Sequence, residues 1–186
     1  MKDKTESQKY FRMLIAACQA NDSVEVENLL KSGSVNIDEI DSNRRSAIFY
    51  CIDNEDLSCL SLLIQANADL DLKDKDGYSC LHLAVINGNI NILEKLHKSN
   101  ADLNIFDGEM HSLLHWAIVC GHIDILDYLL KNKCSTDTSD VHGAYPLHYA
   151  AQMCGHIDVW DENILRNPEK SKLCRFNKRR NFFLKL

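Results

Sequence analysis

Four short blocks recur along the chain at a constant interval of 33 residues. This period constrains the fold more than any other feature of the sequence. The blocks are Ser46-Ala47-Ile48-Phe49, Ser79-Cys80-Leu81-His82, Ser112-Leu113-Leu114-His115 and Tyr145-Pro146-Leu147-His148. Downstream of them, Leu62-Leu63-Ile64, Lys95-Leu96-His97 and Tyr128-Leu129-Leu130 repeat at the same spacing, and Asn67-Ala68-Asp69-Leu70 is matched by Asn100-Ala101-Asp102-Leu103. Self-similarity of this length means that the chain is an array of one small supersecondary unit, not a single core closed by distant segments.

The block that starts at Asp74 shows what the unit is. Asp76-Gly77 is a turn signal. Ser79 then offers a capping hydroxyl before Leu81, Ala84 and Val85, whose spacing suits one buried helical face. Asn87-Gly88 breaks that helix. A second apolar run follows, Ile90, Ile92, Leu93 and Leu96, and Asn100 ends it. Neither helix is long enough to persist alone in water. Each hairpin therefore depends on its neighbours, and the unit folds only as part of a stack.

These features resemble the ankyrin repeat, which has this period and a Thr-Pro-Leu-His-x-Ala signature. Tyr145-Pro146-Leu147-His148-Tyr149-Ala150 is the nearest copy, and Gly121-His122-Ile123-Asp124-Ile125 and Gly155-His156-Ile157-Asp158-Val159 are similar to the start of the family's second helix. The resemblance spans roughly residues 10–158. It implies an all-α solenoid of helix-turn-helix units joined by β-hairpin-like loops. The expected organisation is a polar N-terminal tail (1–9), a degenerate capping repeat (10–40), ankyrin repeats at 41–73, 74–106 and 107–139, an incomplete repeat (140–165) and a flexible basic tail (166–186). In the first unit Leu14, Ala17, Val24, Val26, Leu29 and Leu30 keep a buried pattern without the signature. In the second, Arg44 stands where the family places its turn glycine and Phe49 replaces the histidine, which predicts a strained or reshaped hairpin. In the fourth, Met110 takes the glycine position and Gly108 is displaced from it.

The pattern stops inside the fifth unit. After Val159 the expected Leu-Leu becomes Trp160-Asp161-Glu162-Asn163-Ile164-Leu165, and Asn167-Pro168 ends any helix. Charge changes at the same place. Residues 166–186 carry eight Lys or Arg against Glu169 alone, whereas the first 165 residues hold 13 basic and 26 acidic groups. An array cut in mid-repeat, as in a truncated or alternative form, would look like this. Within the tail, Lys178-Arg179-Arg180 followed by Phe182-Phe183-Leu184 reads either as a patch for nuclear import or anionic surfaces, or as a solvated basic end whose apolar residues cover the last repeat. The acidic body is a poor surface for nucleic acid, whose binding requires cationic neutralisation.

No catalytic constellation, metal site or cofactor is expected. No apolar run approaches a membrane span and the polar start has no secretory core, which predicts a cytoplasmic or nuclear setting and reduced cysteines. The eight cysteines form no CxxC pair. His111 and His115 have HxxxH spacing, but Ser112 replaces the glutamate a zinc protease needs, and His115 recurs as His82 and His148. The resemblance gives that histidine a structural role, as a neutral ring hydrogen-bonded within and between hairpins.

The family's usual partner surface comprises the hairpin tips and the first helices. Carried onto this chain, it includes Arg45 at one tip, Asp76 and Tyr78 at the next, Met110 and His111 at the third and His142 at the fourth, with Ile86, Asn87, Val119, Cys120 and Met153 along the first helices. Tyr78 and Met110 stand out as anchors, because aromatic and pliable apolar side chains dominate interface energetics. The expected partner is a protein and the chain is expected to be a monomer. Three readings stay open: a non-enzymatic adaptor or scaffold, a regulatory inhibitor that masks a basic partner surface, or a fragment of a larger ankyrin protein. Leu96, Asp102, Leu103 and Asn104 also resemble the pattern around hairpin asparagines hydroxylated in this family, against the simpler reading of Asn104 as a turn residue satisfying nearby backbone. Treatment with that hydroxylase should add one oxygen to the intact mass if Asn104 is a substrate.

Overall fold

The computed structural model describes residues 4–153; Cys154, Cys174, the break after Val159 and the basic tail lie outside the described residues. Among the described residues there are nine helices: α1 (Lys4–Gln19), α2 (Ser23–Lys31), α3 (Ala47–Asp53), α4 (Leu57–Gln65), α5 (Cys80–Ile86), α6 (Ile90–Lys98), α7 (Leu113–Cys120), α8 (Ile123–Lys131) and α9 (Pro146–Met153). The chain divides into two compact units, Met1–Asp102 and Leu103–Leu186.

In the first unit, α1–α2, α3–α4 and α5–α6 are three hairpins, with α1 packed on α3, α3 on α5 and α2 on α4. In the second, α7 packs on its partner α8 and on α9. Every helix after α1 spans only seven to nine residues. Side chains set these short lengths. Asp56 caps α4 by accepting from the N–H groups of Ser58 and Cys59, and Asn89 caps α6 through the N–H of Ile92. Beyond the first helices, Gly88 and Gly121 take φ of 73° and 74°, a left-handed conformation that ends the helix and starts the turn.

First and second helices bury different amounts of surface. Cys80 through Val85 are all buried in α5, and Ala47, Ile48, Phe49, Cys51 and Ile52 in α3. The second helices bury one stripe: Cys59, Leu60 and Leu63 in α4, Ile92, Leu93 and Leu96 in α6, Ile125, Leu126 and Leu129 in α8. The single face expected for α5 is therefore an underestimate, because a first helix touches both its own partner and the neighbouring first helix. Ile90 is only half-buried.

Further features differ from the sequence-based expectation. Residues 4–9, read as a polar tail, belong to α1, and Ser7 Oγ donates to Glu39 at 2.8 Å. Val24 is 67% exposed, because two residues along a helix from buried Val26 is the opposite face. Leu30 is half-buried. The loops are hairpin-like only to the extent of isolated bridges, Lys73 to Ser79 and Phe106 to Ser112.

The six described cysteines are free thiols; five are buried and Cys120 is half-buried. Burial pushes the Cys59 and Cys80 thiols up to about 12, so both stay protonated and behave as small apolar groups. Contact with Cys18 and burial also raise Cys51.

The two exposures make opposite demands on substitution. Leu93→Ala, at a wholly buried site, should cost about 2–5 kcal/mol. Val24→Ala should stay within about 0.5 kcal/mol, both read from urea unfolding midpoints.

Candidate partner-binding surface

Each hairpin tip is built on one aspartate. Asp41 Oδ1 accepts the N–H groups of Asn43 (2.7 Å) and Arg45 (2.9 Å), and the Asp41 N–H donates to the Arg45 carbonyl. Asp74 does the same with Asp76 (3.0 Å) and Tyr78 (2.9 Å), Asp107 with Glu109 (2.9 Å) and His111 (2.8 Å), and Asp140 with His142 (2.9 Å) and Ala144 (2.8 Å). The carboxylate replaces the partners that a tight turn denies to its own N–H groups. Their signal is present in the sequence as aspartate at 41, 74, 107 and 140, the repeat interval again, but acidic residues at a turn pass easily for solvated surface.

The fourth residue of each tip is left-handed, with φ of 60° at Arg44, 85° at Gly77, 65° at Met110 and 76° at Gly143. The strain expected at Arg44 is thus real, and the same strain occurs at Met110. The hairpin is not reshaped, since the aspartate bonds are unchanged. A side chain in this conformation costs roughly 1–2 kcal/mol. It also aims away from the turn, and Met110 is 46% exposed. Neighbouring tips are joined by backbone: the Lys75 N–H donates to Asn43 and the Val141 N–H to Glu109, at 2.9 and 3.1 Å.

Below the tips, the recurring histidines fix the first helices. The Ser79 N–H donates to His82 Nδ1 (3.3 Å), the Ser112 N–H to His115 Nδ1 (3.0 Å) and the Tyr145 N–H to His148 Nδ1 (2.8 Å). An Nδ1 that accepts leaves the proton on Nε2, and His115 Nε2 donates it to the Ala144 carbonyl at 3.2 Å. Burial holds His115 below the usual histidine range, so the ring is neutral. This is the role the resemblance implied. His148 repeats the local bond but is exposed.

The candidate binding residues differ in how available they are. Asp76, Asn87, Met110, Val119 and His142 are exposed; Tyr78, Ile86 and Cys120 are half-buried; Met153 ends α9. Arg45 and His111 are largely engaged inside the protein. Arg45 Nη1 meets Asp53 Oδ2 at 2.7 Å, its Nε lies 3.9 Å from Asp74 Oδ2, and its guanidinium sits over the Phe49 and Tyr50 rings. The His111 side chain is 14% exposed and reaches Asp107 Oδ2 (3.0 Å) and the Tyr149 hydroxyl (3.1 Å). Asn104 is exposed, and its Oδ1 accepts the N–H of Ser135 at 3.0 Å, just as Asp38 two periods earlier accepts that of Asp69 at 2.8 Å. This bond reaches backbone in the next loop, 31 residues along the chain, and is not the nearby-backbone bond of the simpler turn reading.

In the first unit, Asn43, Arg45, Asp74, Lys75, Asp76, Tyr78 and Leu83 line an open groove of about 310 Å³ between two tips. In the second, Met110, Val119 and Val141 are exposed apolar side chains on the corresponding tips and first helix. Among the described residues, no group of three or more His, Cys, Asp or Glu is placed to hold a metal ion.

A family model described as ankyrin repeats (3 copies) matches residues 13–107 and 107–162. The chain belongs to the ankyrin-repeat family. The all-helical array of this ankyrin chain is the fold its period implied. No curated protein matches it. No described helix is long and apolar enough to cross a membrane.

Tip carboxylates give the ankyrin array an acid limit. Burial pushes the Asp140 carboxyl up, but the Tyr149 hydroxyl, the Ala144 and His142 N–H groups and the nearby His111 outweigh it and hold it at about 2. Asp41 and Asp107 are likewise held below the usual range by bonds that outweigh their burial. A carboxyl that is lower folded than unfolded contributes stability above its unfolded value, near 3.9, and loses it as pH falls to the folded value. The urea midpoint should therefore fall as pH drops from about 4 to about 2, and Asp140→Asn, which keeps an acceptor for the turn, should shrink that fall.

Proposed function

We propose that this protein is a non-enzymatic adaptor that binds a protein partner through its hairpin tips and first helices. Ankyrin repeats as a family mediate protein–protein interaction, and the fold carries that function in its variable positions, not in its framework. One observation supports the tips most directly. Met110 occupies a left-handed position where glycine is free of strain, yet it presents an exposed apolar side chain there. Backbone strain retained beside an exposed apolar group is expected where that group has work to do. The groove beside Tyr78 gives the first unit a concave place for a partner side chain, bordered by Asp76 and Lys75.

A second reading has its own observation. The first 165 residues carry twice as many acidic as basic groups, so an inhibitor that masks a basic surface would be steered to them. The two modes differ in their response to salt, since screening weakens exposed charge pairs and leaves apolar contacts.

A cross-linking pull-down with the full chain would identify the partner, and affinity for it decides the reading. Tyr78→Ala and Met110→Ala together should weaken binding by about tenfold or more without lowering the melting temperature. Affinity that survives about 0.3 M NaCl marks the apolar mode, and affinity lost there marks charge masking. Unchanged affinity in the double variant would reject the tip surface.

A further inference from the structure

Acceptors approach both ring nitrogens of His111. Its Nδ1 lies 3.0 Å from Asp107 Oδ2, and its Nε2 lies 3.1 Å from the Tyr149 hydroxyl oxygen and 3.6 Å from Asp140 Oδ2. The Tyr149 hydroxyl has one proton and donates it to Asp140 Oδ2 at 2.7 Å. Toward His111 that oxygen can only accept. Asp107 Oδ2 also only accepts, and it already receives the Trp116 indole N–H at 3.0 Å. Both ring nitrogens therefore need a proton. A neutral imidazole has one N–H, so either tautomer turns a lone pair toward an acceptor; the imidazolium satisfies both sides.

We propose that His111 is a proton-dependent strut between two hairpins, joining Asp107 of its own tip to Asp140 of the next through Tyr149 when both ring nitrogens are protonated, and keeping only one of these ties when it loses a proton. The two carboxylate side chains are buried, at 3% and 0% exposure, so a misplaced lone pair there is not relieved by water.

The repeat supplies an internal control. Two periods earlier the same position is Arg45, whose Nε lies 3.9 Å from Asp74 Oδ2 of the following tip and whose charge helps to hold Asp41 of its own tip low. A guanidinium is always charged. The first unit thus has a permanent cation where the second has one that depends on pH.

The groups that meet the His111 ring are Asp107 on its own hairpin, His115 and Trp116 on α7, Asp140 on the next hairpin and Tyr149 on α9; the rings of His115 and Trp116 stand edge-on, each 5.7 Å away. Asp107 and Asp140 are held low and keep their charge, and Tyr149 is pushed up to about 12 by its bond to Asp140 and by burial. The sign follows from the geometry. The fold offers more partners to the protonated ring, so the strut's contribution is present on the acid side and is lost as pH rises.

Melting temperatures of the full chain, His111→Arg and His111→Gln, taken from about pH 5.5 to about pH 8.5 at constant ionic strength, test the proposal. All three share the other histidines, so their differences isolate position 111. The native chain should follow His111→Arg at the acid end and fall toward His111→Gln at the alkaline end, losing roughly 2–4 °C against His111→Arg. A constant offset from both variants, or a native chain that gains on His111→Arg with rising pH, would overturn it. Should a replacement prevent folding, nitrogen-15 spectra of the native His111 ring decide. Two protonated nitrogens giving way to one over the interval in which stability falls support the strut, and a single tautomer throughout rejects it.

Discussion

A helix of seven to nine residues has too few internal hydrogen bonds to repay its own nucleation, so it exists in water only when other parts of the chain cover it. Every described helix after α1 is in that position. The consequence is visible in α3 and α5, which bury residues on nearly all sides. Positions that touch a neighbouring first helix and a partner helix cannot vary freely. Freedom is left to the hairpin tips and to the ends of the first helices, which is where a binding function can be written without disturbing the stack.

The tips have a framework of their own. One aspartate Oδ1 organises each turn by accepting two backbone N–H groups, and the second oxygen is left for whatever the repeat supplies. Tyr50 donates to Asp41 Oδ2, Trp116 and His111 approach Asp107 Oδ2, and Tyr149 donates to Asp140 Oδ2. The same carboxylate thus closes a turn and anchors a first helix. Asp74, Asp107 and Asp140 are buried, and each is held by several donors, which is the condition for burying an anion. The tips are therefore rigid at the base and variable at the outer residues.

Sequence reading succeeded where one residue's environment repeats. The helix pairs, the breaks at Asn87-Gly88 and the structural histidines at 82 and 115 could be read because each depends on neighbours three to five residues away. The aspartates at 41, 74, 107 and 140 carry the same period, but in sequence an acidic residue at a turn looks the same whether it is solvated or bonded to backbone. Val24 keeps the loose apolar pattern of its helix but lies at the wrong angle around it, and is exposed. The extension of α1 back to Lys4 was hidden for a different reason: a polar helical turn has no apolar period to announce it.

Arg45 and His111 mark the limit of such reading. Both lie on the family's usual partner surface, and by sequence alone an outward charged residue and an inward one look the same. The amino-acid sequence determined the period, the helix pairs and the family, since these rest on local spacing and on a pattern repeated several times. Tertiary structure decided the fate of the polar side chains at the tips. Arg45 finds Asp74, and His111 finds Asp140, about 29 residues further along the chain. A contact contributed by the next hairpin becomes visible only when the two are brought side by side.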